Sequence, residues 1–270
     1  PAVVLVHGSG GHDRDETIGP NKPFQDIAWG LASKGIAVLR YDKRTFVYPQ
    51  ELVAQIESLT IYDETIDDAK AAVDLLQKTE RIDASRLFVA GHSLGGSMAP
   101  VIAVEHDGVA GLVIMAGASR PLEELVLEQN LYLAAVDGTI SAQEQEQIAQ
   151  VEALVEKIMA LDFEPGETVL GGAKAYWESL TTLRPVEVVA ELSIPMLVLQ
   201  GGRDYQVTME DFNGWRQALG GHSNVVFREY PSLNHLFIPG TGTPSPQEYG
   251  THGSVLEDVI RDIAEWIYGQ

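Results

Sequence analysis

Leu87-Phe88-Val89-Ala90-Gly91-His92-Ser93-Leu94-Gly95-Gly96 passes from a continuous apolar run, through a serine flanked by glycines, into the helix-compatible segment 97–104. An apolar run with no alternation is what a strand covered on both faces needs. A serine at the sharp turn between such a strand and a helix has a strained backbone and close neighbours, and Gly91 and Gly95 supply the room. The pattern G-x-S-x-G recurs by chance often enough to be weak alone. The strand before it and the helix after it carry the reading.

Outward from this unit, segments 2–6, 36–39, 112–115 and 196–199 have the same unbroken apolarity and read as buried parallel strands. Segment 225–230 is more polar and belongs nearer an edge. Ile66, Ala69, Val73 and Leu76 recur at spacings of three and four, the stripe of a helix that ends before Arg81. Phe24, Ile27, Ala28 and Leu31 mark another helix, with Gly35 as its stop. Near the end, Ser254 and Glu257 have capping-box spacing, ahead of a buried face of Leu256, Val259, Ile260, Ile263 and Ile267. Strand and helix alternate throughout, which predicts a doubly wound, mostly parallel α/β sheet with right-handed crossovers.

The rhythm breaks between residues 119 and 192, where no sheet strand is expected. Ser141 and Glu144 form a second capping-box pattern there, followed by Ile148, Val151, Val155 and Ile158 on one helical face. The expected organisation is therefore a core of residues 1–118 and 193–270 with a helical cap inserted at 119–192. Residues 239–253, rich in Gly, Pro and Thr, read as a loop.

A serine hydroxyl is a poor nucleophile until a base takes its proton, and that base needs a carboxylate to fix its tautomer. Asp204 stands just past segment 196–199, and His235 follows segment 225–230. Both positions lie at the carboxyl edge of the sheet, where catalytic groups gather in open α/β folds. Ser93, Asp204 and His235 are thus the candidate nucleophile, acid and base. His222 precedes its strand and lies at the wrong end of the sheet, and His252 abuts the last helix. Asp211 is the runner-up acid but reads as a solvated helix residue, and His92 and His106 read as packing or surface histidines.

The first strand ends in His7-Gly8-Ser9-Gly10-Gly11, whose amides are free to point inward. The N–H groups of Ser9 and Leu94 are the candidate oxyanion donors. The loop lacks the third glycine of a dinucleotide fingerprint and the Gly-Lys-Ser/Thr of a phosphate loop. In His12-Asp13-Arg14-Asp15-Glu16 the carboxylates are expected to pair with Arg14, Arg40, Lys43 or Arg44 and so hold this loop, and no metal is expected. Tyr132, Phe163, Tyr176 and Trp177 read as packing of the cap, with an acyl pocket over Ser93 as the alternative.

The 270 residues hold 18 Lys+Arg against 39 Asp+Glu, a formal net charge of −21. A field of that sign repels nucleic acids and anionic membrane surfaces. With 45% hydrophobic residues the chain can bury a core, and with no cysteine it has neither thiolate nucleophile nor Cys-based metal site. No apolar run is long enough to cross a bilayer, so a soluble protein is expected, a cytoplasmic one by preference. The chain opens at Pro1 directly into a strand, with no signal-peptide pattern, which points to a segment upstream.

The HGSG loop, the GHSLGG turn, the GGRD turn and the NH turn resemble those of the α/β-hydrolase superfamily over essentially the whole chain. HGSGGHDRDETIGPNKPF followed by GIAVLRYDKRT is more specific and resembles bacterial carboxylesterases with a helical lid. The resemblance implies the α/β-hydrolase fold, small-molecule carboxylic esters as substrates and no cofactor. It assigns Ser93, Asp204 and His235 as the triad and Ser9 and Leu94 as oxyanion donors. The same residues would serve an amidase or peptidase, or persist in a non-catalytic binding module. One departure stands out: the family's sheet usually begins with an antiparallel pair ahead of the HG-bearing strand, and here that strand starts at Ala2.

Overall fold

The computed structural model describes residues 1–270. Its strands are β1 (Ala2–Val6), β2 (Ala37–Leu39), β3 (Leu87–His92), β4 (Gly111–Met115), β5 (Thr168–Val169), β6 (Gly172–Ala173), β7 (Met196–Gly201) and β8 (Val225–Tyr230). Six of them form one all-parallel sheet in the order β2-β1-β3-β4-β7-β8. Chain order reverses between β1 and β3, so the crevice outside the carboxyl ends of these two strands is the topological switch point where such sheets bind ligands.

The unbroken apolarity of β1 follows from its place in the sheet. Ala2, Val4 and Val6 enter one hydrophobic cluster, and Val3 and Leu5 enter the other. With period-two alternation, both faces must be covered. One layer is made by α1 (Pro23–Ser33) and, later in the chain, by the last helix, Glu257–Tyr268. Phe24, Ile27 and Leu31 pack there with Ile260, Ile263 and Ile267. Gly35, at φ +81°, turns the chain out of α1 in the left-handed region, as the stop signal implied.

The short helices α2 (Arg44–Val47) and α3 (Pro49–Val53) lead to a π-helical turn, Tyr62–Ile66, which runs into α4 (Asp67–Gln77). Ala69, Val73 and Leu76 of α4 join α5 (Leu94–Glu105) on the opposite face of the sheet. Between β4 and β7 come α6 (Leu122–Ala135), α7 (Ala142–Met159), α8 (Lys174–Thr182) and α9 (Pro185–Val189). The Ser141/Glu144 capping box is formed, and Ile158, Trp177, Leu180 and Val189 anchor this segment to the core. α10 (Met209–Leu219) and α11 (Glu257–Tyr268) complete the layers.

Three expectations fail locally. Ser254 and Glu257 form no capping box: Leu256 is still extended (φ −59°, ψ 133°), so α11 starts at Glu257 with no side-chain cap and Ser254 stands too far ahead to be the N-cap. Val255 N–H donates to Asp26 Oδ2 (3.0 Å) and Leu256 N–H to the Phe237 carbonyl (3.0 Å). The 119–192 segment does contain strands, the two-residue antiparallel pair β5 and β6, separate from the main sheet. Residues 239–253 include a 3₁₀ turn, Pro246–Gly250. No helix is long and apolar enough to cross a membrane.

Candidate active site

Ser93 sits where β3 turns into α5, with φ 53° and ψ −121°, a conformation that a non-glycine residue holds only under constraint from its surroundings. Those surroundings explain the glycines. A Cβ on Gly91 would lie 2.1 Å from the Gly95 carbonyl oxygen, and one on Gly95 would lie 2.2 Å from the Val6 carbonyl oxygen. Backbone therefore packs on backbone on both sides of the turn, and the half-buried serine is held at its tip.

Asp204 follows β7, and its two oxygens are divided between two tasks. Oδ1 accepts the N–H groups of Gln206 (2.8 Å) and Val207 (3.0 Å). Oδ2 accepts Gln200 Nε2 (3.1 Å) and His235 Nδ1 (2.6 Å). The loop bearing His235 is closed by Asn234, whose Oδ1 accepts the N–H groups of Leu236 and Ile238. His92, the residue before Ser93, donates Nε2–H to the His235 carbonyl at 2.9 Å, which fastens that loop beside the serine turn. Ser93 Oγ and His235 Nε2 form no hydrogen bond in the structure, a contact that typically tightens only when substrate is bound.

His92 thus departs from the packing or surface role its position suggested. It is buried, and its Nδ1 lies 2.9 Å from Glu16 Oε2, an ion pair rather than a well-aligned hydrogen bond. Burial works against ionising Glu16, but the positive charge of His92, with His7 adding to it, holds its carboxyl down at about 2. Burial likewise opposes a charged His92, and the Glu16 carboxylate outweighs it and raises the imidazole above its ordinary value. The Glu16 carboxylate thus favours the charged form of His92, which donates from Nε2 to the His235 carbonyl and meets Glu16 through Nδ1 as a charge pair. His7 is the opposite case: burial lowers it to about 4, so it is neutral, and it donates Nε2–H to the Asp13 carbonyl.

The loop after β1 is clamped by buried charges. Glu16 Oε1 accepts Gly8 N–H (2.7 Å), Lys43 Nζ donates to the Gly8 carbonyl (2.6 Å), and Glu64 Oε1 accepts both Gly10 N–H (2.8 Å) and Lys43 Nζ (2.7 Å). Of the three successive amides only that of Ser9 has no acceptor within the protein. Leu94, the first residue of α5, has an amide that no carbonyl of its own helix can reach. Carboxylates hold this loop as expected, and Asp15 does pair with Arg40, but two partners differ. Glu16 takes a histidine, and Lys43 takes Glu64, which spacing could not reveal because the π-helical turn carries it 54 residues along the chain from Gly10. Asp211 is also corrected: it is buried and receives the Arg120 guanidinium together with the amides of Ser119 and Arg120.

Ser9, Ser93 and Leu94 border a cavity of about 550 Å³, walled by Met98 of α5, Leu125 and Val126 of α6, Leu180 of α8 and Val186 of α9. A second cavity of about 410 Å³ also touches Ser9, and Tyr176 and Trp177 line it. Tyr132 and Phe163 line neither: the Tyr132 hydroxyl donates to the Pro244 carbonyl, and Phe163 packs against the core. No group of three or more His, Asp or Glu side chains converges so as to hold a metal ion.

The Glu16–His92 pair makes stability depend on pH from both sides. Glu16, depressed below its ordinary 4.5, contributes stability that is complete above that pH and is lost as pH falls toward about 2. His92, raised above its ordinary 6.5, contributes stability that is complete below 6.5 and is lost as pH rises through its folded value. Glu16→Gln leaves a buried imidazolium without a counter-ion, so it costs roughly 3 kcal/mol between pH 4.5 and 6.5 and less on either side. Urea denaturation at pH 3, 5.5 and 9 checks this, and an equal cost at all three would refute it.

Three comparisons bear on this geometry. The sequence profile of the family described as "Serine aminopeptidase, S33" matches residues 1–238. Esterase EstD of Thermotoga maritima is 45% identical over 267 residues, which are 99% of this chain and 62% of EstD, so the chain spans less than two thirds of that relative. Among solved structures, Est1E of Butyrivibrio proteoclasticus with ferulic acid bound superposes with a TM-score of 0.62 at 19% identity, covering 100% of this chain and 89% of that one. The Pyrococcus furiosus esterase PF2001 gives 0.59 at 16%, covering 99% and 81%. At such identities the two structures establish the fold, that of the α/β-hydrolases.

Proposed function

This chain belongs to the serine aminopeptidase S33 family of α/β-hydrolases, and from that premise we propose that it is a cofactor-free serine carboxylesterase. Ser93 attacks the ester carbonyl while His235 Nε2 takes its proton. Asp204 holds the imidazole in the tautomer whose Nδ1 carries hydrogen, and stabilises the positive charge that develops on it. The amides of Ser9 and Leu94 receive the negative charge on the carbonyl oxygen. His235 then gives its proton to the leaving alcohol, and repeats the cycle with a water molecule that releases the acid from Ser93.

The observation that carries this reading is the buried 2.6 Å pair of His235 and Asp204, on a loop fastened next to a strained, glycine-flanked serine at the switch point of the sheet. The 45% identity to EstD, an esterase by name, favours esters over amides. The segment 119–192 acts as the cap: its helices α6, α8 and α9 supply the apolar wall of the 550 Å³ cavity, which suits a short to medium acyl chain.

The test compares matched substrates on the chain as it stands. p-Nitrophenyl esters with two to eight acyl carbons are turned over, and the matched p-nitroanilides are turned over at least ~100-fold more slowly, because an amine is the poorer leaving group and needs better-timed protonation. An anilide preference would support a peptidase instead, as the family's description allows. Failure of a fluorophosphonate probe to label Ser93 would leave only a binding module.

A further inference from the structure

Glu123, the second residue of α6, is 5% exposed and lies on the wall of the cavity that holds Ser93. Its carboxylate forms no ion pair and no hydrogen bond with any other side chain. The cations nearest to hand are committed. Arg120 is engaged by Asp211, Glu128 and Glu210, and Arg184 by Glu187. Burial raises the Glu123 carboxyl above its ordinary range, and the neighbouring Glu124 adds to the effect.

A carboxylate partly withdrawn from water with no protein partner is destabilising, and the Glu123 oxygens, unpaired yet not sealed off, open into the cavity. A helix start favours an acidic residue by only about 0.3–1 kcal/mol. Glu124, exposed in the same first turn, has that benefit without being buried. The location of Glu123 therefore needs a different account, since the other charged side chains on this wall, Arg120, Arg184 and Glu187, are already paired.

We propose that Glu123 is a specificity-determining residue, forming a subsite that receives an alkylammonium group carried by the ester substrate. This rests on the esterase reading for its consequence, since it names the class of ester the site prefers. The negative field of the whole chain acts in the same direction, raising the local concentration of cations. A substrate with an aliphatic arm ending in an ammonium would lay the arm along Leu125, Val126 and Leu180 and bring its charge to the carboxylate.

Titration calorimetry at pH 8 with n-hexylammonium and 1-hexanol, which share one alkyl chain, tests this without any turnover. The wild-type chain should bind the ammonium about tenfold more tightly than the alcohol, and Glu123→Gln should bring the two together. Equal binding to the wild type overturns the proposal. So does a preference that survives Glu123→Gln, since the general field of the chain would then account for it. Ester turnover is scored separately. A chain that hydrolyses no ester loses the esterase reading while the calorimetric preference stands, and a chain that hydrolyses esters without that preference loses only the role of Glu123.

Discussion

Ser93→Ala lowers kcat for p-nitrophenyl esters by about 10⁶-fold, with the protein otherwise intact. The expected size follows from what is removed and what remains. The hydroxyl is the only group that can form the acyl intermediate, so the reaction must fall back on direct attack by water. The amides of Ser9 and Leu94 still meet the developing oxyanion, which leaves some acceleration over solution. Stability should stay within about 0.5 kcal/mol, because the half-buried Ser93 Oγ makes no hydrogen bond within the protein and alanine keeps the Cβ. Steady-state kinetics and urea denaturation on one preparation separate chemistry from folding. Undiminished turnover would remove Ser93 from the mechanism.

What could be read from the residues in order was whatever depends on neighbours in sequence. The strand 2–6 appears with the same bounds, because each of its side chains must be apolar whichever layer it enters. The serine turn was legible because Gly91 and Gly95 are demanded by contacts within and beside the turn itself. Asp204 and His235 followed from their place after successive strands, since parallel strands deliver their carboxyl ends to one edge.

Partners that meet only through the fold were not legible. Nothing in the spacing says that Lys43 will find Glu64, that Glu16 will find His92, or that Asp211 will be sealed under Arg120. The Ser254/Glu257 pattern shows the opposite failure. The local signal was present, but the chain stays extended through Leu256, held there by bonds from Val255 to Asp26 and from Leu256 to the Phe237 carbonyl, so the helix begins too late for Ser254 to cap it. Buried charge is therefore where this site exceeds what its motifs announce. One continuous chain of contacts runs from Gly8 N–H through Glu16 and His92 to the His235 carbonyl, and joins the oxyanion loop to the base.

Asp204→Asn should reduce kcat by about 10⁴-fold, roughly 5.5 kcal/mol of barrier, although it changes one atom and no net volume. The hydrogen bonds around Asp204 say why. The amides of Gln206 and Val207 both donate to Oδ1, so an asparagine must place its carbonyl oxygen there to keep the turn. Its NH₂ then takes the position of Oδ2, facing Gln200 Nε2 and His235 Nδ1, which are both donors. The imidazole escapes by moving its hydrogen to Nε2, and in that tautomer it accepts from asparagine and has no lone pair to offer the Ser93 hydroxyl. Substrate binding draws on none of these atoms, so KM should move by less than about threefold while kcat and the rate of fluorophosphonate labelling fall together. A variant that labels at the wild-type rate would mean that His235 does not depend on Asp204 for its tautomer. The carboxylate would then have to be regarded as a brace for the 204–207 turn.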